Sequence, residues 1–294
     1  MAIQGFSLDE TEQFQNEINK LKNKLHENEN YRNDVINLGE NYTDIKNYFL
    51  KITKFFQYSS EVKIESLYRI RTTKTNKPFT SRKELIYPAP NLKHKDRMNN
   101  ISFRVLYVSL NEHTALAETR INKDYIDKYF QLTRFSVKKT LKVFRLGRFS
   151  ELYFNSPRDS DYVKNEMKSM FGSENHDKTM QGYSALECAI ADVLYDTDKD
   201  YHILSSILAE AIFTLNPDID AIMYPSMQNR YGVNLAIKKE SVDSSLEITY
   251  SSLNILKNAY PNGFYKYYTK MECLNFNNED NFEFTNVEGN AIHR

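Results

Sequence analysis

The stretch that most constrains the fold is residues 97–118, RMNNISFRVLYVSLNEHTALAE. Apolar residues within 103–109 predict a short strand. Asn111 is a good N-cap for a following helix that carries Glu118. A loop, a strand and a helix thereby hold a cation (Arg97), a ring (Tyr107) and a carboxylate (Glu118) in one compact unit. Such a set suits a substrate with phosphates, a ring and a bond that breaks with positive charge. Taken singly, each residue has a plainer reading. Arg97 could be a surface cation in a basic loop, Tyr107 a core tyrosine, and Glu118 the solvent side of an amphipathic helix.

Before this stretch, residues 7–26 predict a helix. Ser7 and Glu10 form a capping-box pattern, and Phe14, Ile18, Leu21 and Leu25 recur on one face. The polar run HENENYRND interrupts it. A second helix is then expected from Val35, Leu38, Tyr42, Ile45, Phe49, Ile52 and Phe56. Two apolar stripes predict an antiparallel helical hairpin packed on the main domain, with self-association or partner contact as the sharper alternative. Residues 64–71 alternate as a strand, and 72–102 read as a long loop rich in Lys, Asn and Pro. After Glu118, strands are expected at 130–137 and 141–146, and helices at 160–171, 183–196 and 202–215. The last of these stops at Asn216-Pro217. Residues 172–182 read as polar loop. A buried strand then exits sharply at Pro225-Ser226, a loop closes at Gly232, and another strand follows. Residues 245–256 and 263–276 predict a terminal strand pair or strand–helix extension, and the last residues a loosely held tail. The resulting expectation is an α+β fold with an N-terminal helical arm at 1–60, a main domain at 61–240 and a C-terminal extension at 241–294.

Composition narrows the function classes. The 294 residues hold 39 basic and 39 acidic side chains, so no global field recruits nucleic acid or an acidic membrane. The two cysteines, Cys188 and Cys273, lack CxxC spacing and fit a reducing cytoplasm. No leader, membrane-spanning run, HExxH, GxGxxG or P-loop pattern is read, so no metal site and no Rossmann or P-loop nucleotide site is expected.

A second stretch, IDAIMYPSMQNRYGVNLAIKK at 219–239, gives the first its meaning. The chain runs Arg97-x-Asn99, then Tyr107 in V-L-Y-V-S, then T-A-L-A-E ending at Glu118. Later come D-x-I-x-Y-P-S ending at Ser226 and G-x-N-L-A containing Asn234. This order resembles the RES domain family, named for Arg, Glu and Ser, over roughly residues 64–240. Tyr68, Arg69 and the helix HILSSILAEAI also fit. Lys95 and Asp96 stand where members usually place glycines, and Met98 stands where they place an aromatic residue.

The resemblance implies an ADP-ribosyltransferase-like mixed sheet with flanking helices. It implies a toxin of a bacterial toxin–antitoxin pair that consumes NAD+ as substrate, with no permanently bound cofactor. In that reading Glu118 stabilises the cationic ribose, and Arg97, with Asn99 beside it, holds the pyrophosphate. Tyr107 orients the nicotinamide or its ribose, Ser226 hydrogen-bonds the nicotinamide amide or ribose, and Asn234 supports the loop. The activity expected is NAD+ phosphorylase or glycohydrolase. A protein mono-ADP-ribosyltransferase and a non-catalytic NAD-binding or interaction protein are the alternatives. An antitoxin partner is implied by the family, and a homo-oligomer remains open.

Overall fold

A capped helix begins the folded chain, and its cap is the one the sequence spells. In the computed structural model, which describes residues 6–56, 59–86, 97–157, 160–171, 177–276 and 281–293, α1 spans Leu8–Glu27. Ser7 accepts from the Glu10 amide at 3.2 Å and the Glu10 carboxylate accepts from the Ser7 amide at 2.8 Å. The next helix is not continuous as expected. Its first residues, Val35 and Ile36, belong to α2 (Glu29–Ile36), which is formed mostly by the polar run expected to interrupt the helices, and the rest lies in α3 (Glu40–Thr53). Leu38 between them takes φ 61°, and Asp34 accepts from the Asn41 amide at 2.9 Å, which closes the break locally.

The chain continues through β1 (Ser60–Val62), β2 (Ser66–Thr72), α4 (Arg82–Ile86), β3 (Val105–Ser109), α5 (Glu112–Glu118), β4 (Tyr129–Val137) and β5 (Leu141–Arg145). It then forms α6 (Arg148–Asn155), α7 (Asp161–Phe171), α8 (Asp177–Leu194) and α9 (His202–Leu215). It ends with β6 (Ala221–Pro225), β7 (Val233–Lys238), α10 (Lys239–Ser245), β8 (Leu246–Ala259), β9 (Tyr265–Cys273) and β10 (Thr285–His293). The fold is α+β, as expected. Three other local expectations need correction. The loop expected at 172–182 turns helical from Asp177. The loop expected at 72–102 contains a short helix, α4. The tail expected to be loose pairs as a strand, β10 against β9, where the ladder supplies hydrogen bonds that its composition does not advertise.

The chain divides into two compact units. The first gathers residues 1–60, 92–104 and 144–219, and the second 61–91, 105–143 and 220–294. The first is helical. Its α1 packs on α8 and α3 on α9, burying Phe14, Val35, Phe49, Ile207 and Ile212. Gly182 lets α8 approach the N-terminal segment, because a Cβ there would lie 1.6 Å from the Phe6 carbonyl oxygen.

The second unit is built on one sheet with the order β1-β5-β6-β7-β3-β2-β4-β8-β9-β10; only Ser60 and Phe144–Arg145 of its strands fall in the first unit. β3 pairs antiparallel with both β2 and β7, and β7 with β6. One face buries Leu106, Val108, Leu235 and Ile237 together with Leu67 and Phe135. The alternation of strand side chains sends Tyr107, Ser109 and Asn234 to the other face, where Ala115, Leu116 and Ala117 of α5 pack with Ile70 and Leu132.

Candidate active site

In the second unit, α5 is short and its purpose is local. Asn111 caps it by accepting from the Thr114 amide at 2.8 Å, as the sequence predicts. Its apolar side is spent against the sheet, which leaves Glu118 at the C-terminal end, half-buried beside Ala117. Register places Asn234 of β7 opposite Ser109 of β3 on one side and Tyr224 of β6 on the other. The strand β6 is fixed at its start by Asp220, a residue of the second motif. Its carboxylate accepts from Ser241 Oγ at 2.6 Å and from the Lys142 amide at 2.9 Å, and pairs with Lys139 at 3.2 Å. Burial raises the Asp220 pKa, but these hydrogen bonds outweigh it and hold the group below the usual range.

These elements converge on one carboxylate oxygen. Ser226 Oγ donates to Glu118 Oε1 at 2.5 Å, and Asn234 Nδ2 donates to the same oxygen at 2.9 Å. Among the described residues no donor reaches Oε2. Ser226 is also fully engaged as an acceptor. Its Oγ takes the amides of Gln228 at 3.2 Å and Asn229 at 2.9 Å. A hydroxyl has one proton and two lone pairs, so all three are committed in this arrangement. Ser226 thereby ties its own turn to Glu118.

The loop Ser226–Gly232 is latched from both ends. The Ser226 amide donates to the Gly232 carbonyl at 2.8 Å, and Asn229 Nδ2 donates to Thr114 Oγ1 on α5 at 3.2 Å. Gly232 is needed for close approach, since a Cβ there would sit 2.5 Å from Thr114 Cγ2 and 3.1 Å from Ser226 Cβ. Tyr107 lies in β3 two residues from Ser109, paired with Ala236, and is half-buried. The structure thus brings Glu118, Ser226 and Asn234 into contact, with Tyr107 on the same sheet face.

Arg97 and Asn99 belong to the first unit. Arg97 is half-buried, its carbonyl accepts from Ser205 Oγ at 2.5 Å, and among the described residues its guanidinium has no acidic partner. Asn99 is buried. The residues just before them, Lys95 and Asp96, lie outside the described residues. Asn100 fixes the loop that follows. Its Oδ1 accepts from the Ser102 and Phe103 amides at 2.8 and 2.7 Å, and its Nδ2 donates to Glu210 of α9 at 2.9 Å. Glu210 also accepts from Lys46 at 2.7 Å and from the Tyr42 hydroxyl, both on α3. Burial pushes Glu210 up, yet these partners hold it below the ordinary carboxylate range, while burial and Glu210 push the Tyr42 phenol up.

Sequence reasoning did not single out Ser109, Thr114, Asn229, Asn100 or Glu210 as site residues. All five stood inside quoted stretches, and that was their only visible signal. Among the described residues no group of three or more His, Cys, Asp or Glu side chains is placed to hold a metal. Among them, too, no helix is long and apolar enough to cross a membrane.

Comparison with protein families returns a match to the RES domain over residues 66–251. Comparison with curated proteins gives no significant match, and comparison with solved structures gives none either.

Proposed function

Since the chain belongs to the RES domain family, whose model spans residues 66–251, we propose that it cleaves the nicotinamide–ribose bond of NAD+, as an NAD+ phosphorylase or glycohydrolase. Family membership carries a coarse NAD-acting, toxin-like role. The finer reading rests on one observation. Glu118 is a half-buried carboxylate gripped through Oε1 by Ser226 and Asn234, with Oε2 left for a substrate.

The chemistry follows from that asymmetry. When the C1″–N bond breaks, its electron pair leaves with neutral nicotinamide and the ribose becomes an oxocarbenium-like cation. A carboxylate already fixed beside the cation stabilises charge as it develops and needs no reorganisation. Water or phosphate then adds at C1″ and loses a proton, giving ADP-ribose or its 1″-phosphate. In this reading Ser226 acts through Glu118, and Asn234 shares that task. Tyr107 offers its ring to the nicotinamide or ribose. Arg97, with Asn99 beside it, is assigned to the pyrophosphate for the planar fork a guanidinium offers two phosphate oxygens. No strong protein nucleophile is needed, and Cys273 is buried in the sheet core with its thiol pushed up by burial.

The test is incubation of the purified protein with NAD+, with and without phosphate, and identification of products by mass. Released nicotinamide with ADP-ribose or its 1″-phosphate is the expected result. Label transferred to protein would redirect the reading to mono-ADP-ribosylation. Binding of NAD+ with no turnover in either condition would overturn it. A cognate antitoxin protein is the partner this reading carries from the family, and copurification from the native host is its check.

A further inference from the structure

One of the two donors to Glu118 is itself held by a third side chain. Ser109 Oγ donates to Asn234 Oδ1 at 2.6 Å, while Asn234 Nδ2 donates to Glu118 Oε1 at 2.9 Å. Both residues are buried, at 3% and 2% exposure, so solvent does not replace a lost partner at either. The pair is set by strand register, since Ser109 and Asn234 are directly opposed across β3 and β7. It is not a flexible surface contact.

An amide presents a carbonyl at one end and two N–H groups at the other, in nearly the same shape. Only one orientation serves Glu118, because the other aims a carbonyl oxygen at a carboxylate oxygen. In the serving orientation Oδ1 points away from Glu118 into the buried interior and needs a donor there. Ser109 is that donor. A hydroxyl bonded to the carbonyl end also polarises the amide and strengthens its N–H as a donor. Without Ser109 the buried Oδ1 would have no partner, and the amide would turn or shift to find one, releasing Oε1.

We propose that Ser109 is a positioning residue for Glu118, acting through Asn234 as a serine–asparagine–carboxylate relay across β3 and β7. The kinetic form of this inference rests on the NAD+-cleaving reading; its structural form does not. Loss of the relay leaves Ser226 still donating to Glu118, so the effect is partial. It falls on the rate, because a loosely held carboxylate is less well aimed at the charge that develops in the transition state.

The experiment compares the full chain with Ser109→Ala, Asn234→Ala, the double variant and Ser109→Thr, measuring kcat and KM for NAD+ beside thermal unfolding. Ser109→Ala is expected to lower kcat about tenfold, the scale of one hydrogen bond, with KM within about twofold. The double variant should be no slower than Asn234→Ala, and Ser109→Thr, which keeps the hydroxyl, should recover most of the rate. Independent, additive losses, or an unchanged kcat in Ser109→Ala, would overturn the relay. The Asn234 side-chain amide protons, followed by NMR without substrate, give the second reading. Ser109→Ala should speed their exchange, and unchanged exchange would overturn the relay even in an active enzyme. Faster exchange in a protein that never consumes NAD+ would instead overturn the NAD+ reading and leave the relay standing.

Discussion

Glu118 presents two unequal oxygens. Oε1 is held by Ser226 and Asn234, and this fixes where Oε2 points. Glu118→Gln preserves the shape and can still accept at the held oxygen, but it removes the charge that the proposed reaction sets against the ribose cation. NAD+ consumption should fall at least about 100-fold, the scale of losing a preorganised electrostatic stabiliser, with far-ultraviolet circular dichroism unchanged. A variant that turns over NAD+ at the normal rate would remove Glu118 from the reaction. Arg97→Lys makes a complementary test, since it keeps the charge and loses the fork. Weaker NAD+ binding by calorimetry is expected, and unchanged affinity would remove Arg97 from the phosphate role.

Two elements set limits on how far such residues can be moved. The first is the loop Ser226–Gly232. Gly232→Ala would push a methyl against Thr114 and Ser226, so the loop must shift from α5. A loss of about 1–3 kcal/mol in denaturant unfolding is expected, with kcat falling more than KM rises. The second is the junction of α6 and α8 in the first unit. Glu187 of α8 is 1% exposed and accepts from the Ser150 amide at 2.9 Å and its hydroxyl at 3.0 Å, at the first turn of α6. Burial pushes its carboxyl up from 4.5 to about 7, against the opposing pull of those donors and of the Gly147 and Arg148 amides. The folded state therefore favours the protonated form. Its contribution is fully present below pH 4.5 and is lost as pH rises through 7, a swing of about 3 kcal/mol. Glu187→Gln stays neutral and should escape that loss. Its stability relative to the parent should rise between pH 4.5 and 8 in urea unfolding. A constant difference across that range would show that Glu187 does not titrate in the fold.

For the whole molecule, the N-terminal helices are structural partners of the first unit. Phe14, Leu25, Val35, Tyr42, Ile45 and Phe49 are buried there, and α3 supplies Tyr42 and Lys46 to the Glu210 cluster that also holds Asn100 behind Arg97. Each large apolar side chain so buried contributes about 1.5–3 kcal/mol, and their sum rivals the net stability of a domain. Deleting residues 1–55 should therefore yield insoluble or non-cooperatively unfolding protein. A soluble deletion variant with a sharp thermal transition would show these helices to be dispensable.

What the sequence determined by itself was local or carried in motif order. The Ser7–Glu10 box, the Asn111 cap, the stripe of α1, the strand at β2 and the stop of α9 at Asn216-Pro217 all follow from patterns of a few residues. The order of Arg97, Tyr107, Glu118, Ser226 and Asn234 was enough to point to the family. The break at Leu38, the helical start at Asp177 and the strand at Thr285–His293 were not legible, and the last of these is stabilised by pairing with β9 rather than by its own pattern. Only the tertiary structure decided that Ser226, 108 residues after Glu118, commits its proton to that carboxylate, and that Ser109 stands behind Asn234. Those bonds depend on which strands are adjacent and in what register. A one-residue slip of β7 against β3 would turn Asn234 to the opposite face and leave every local pattern in the sequence unchanged.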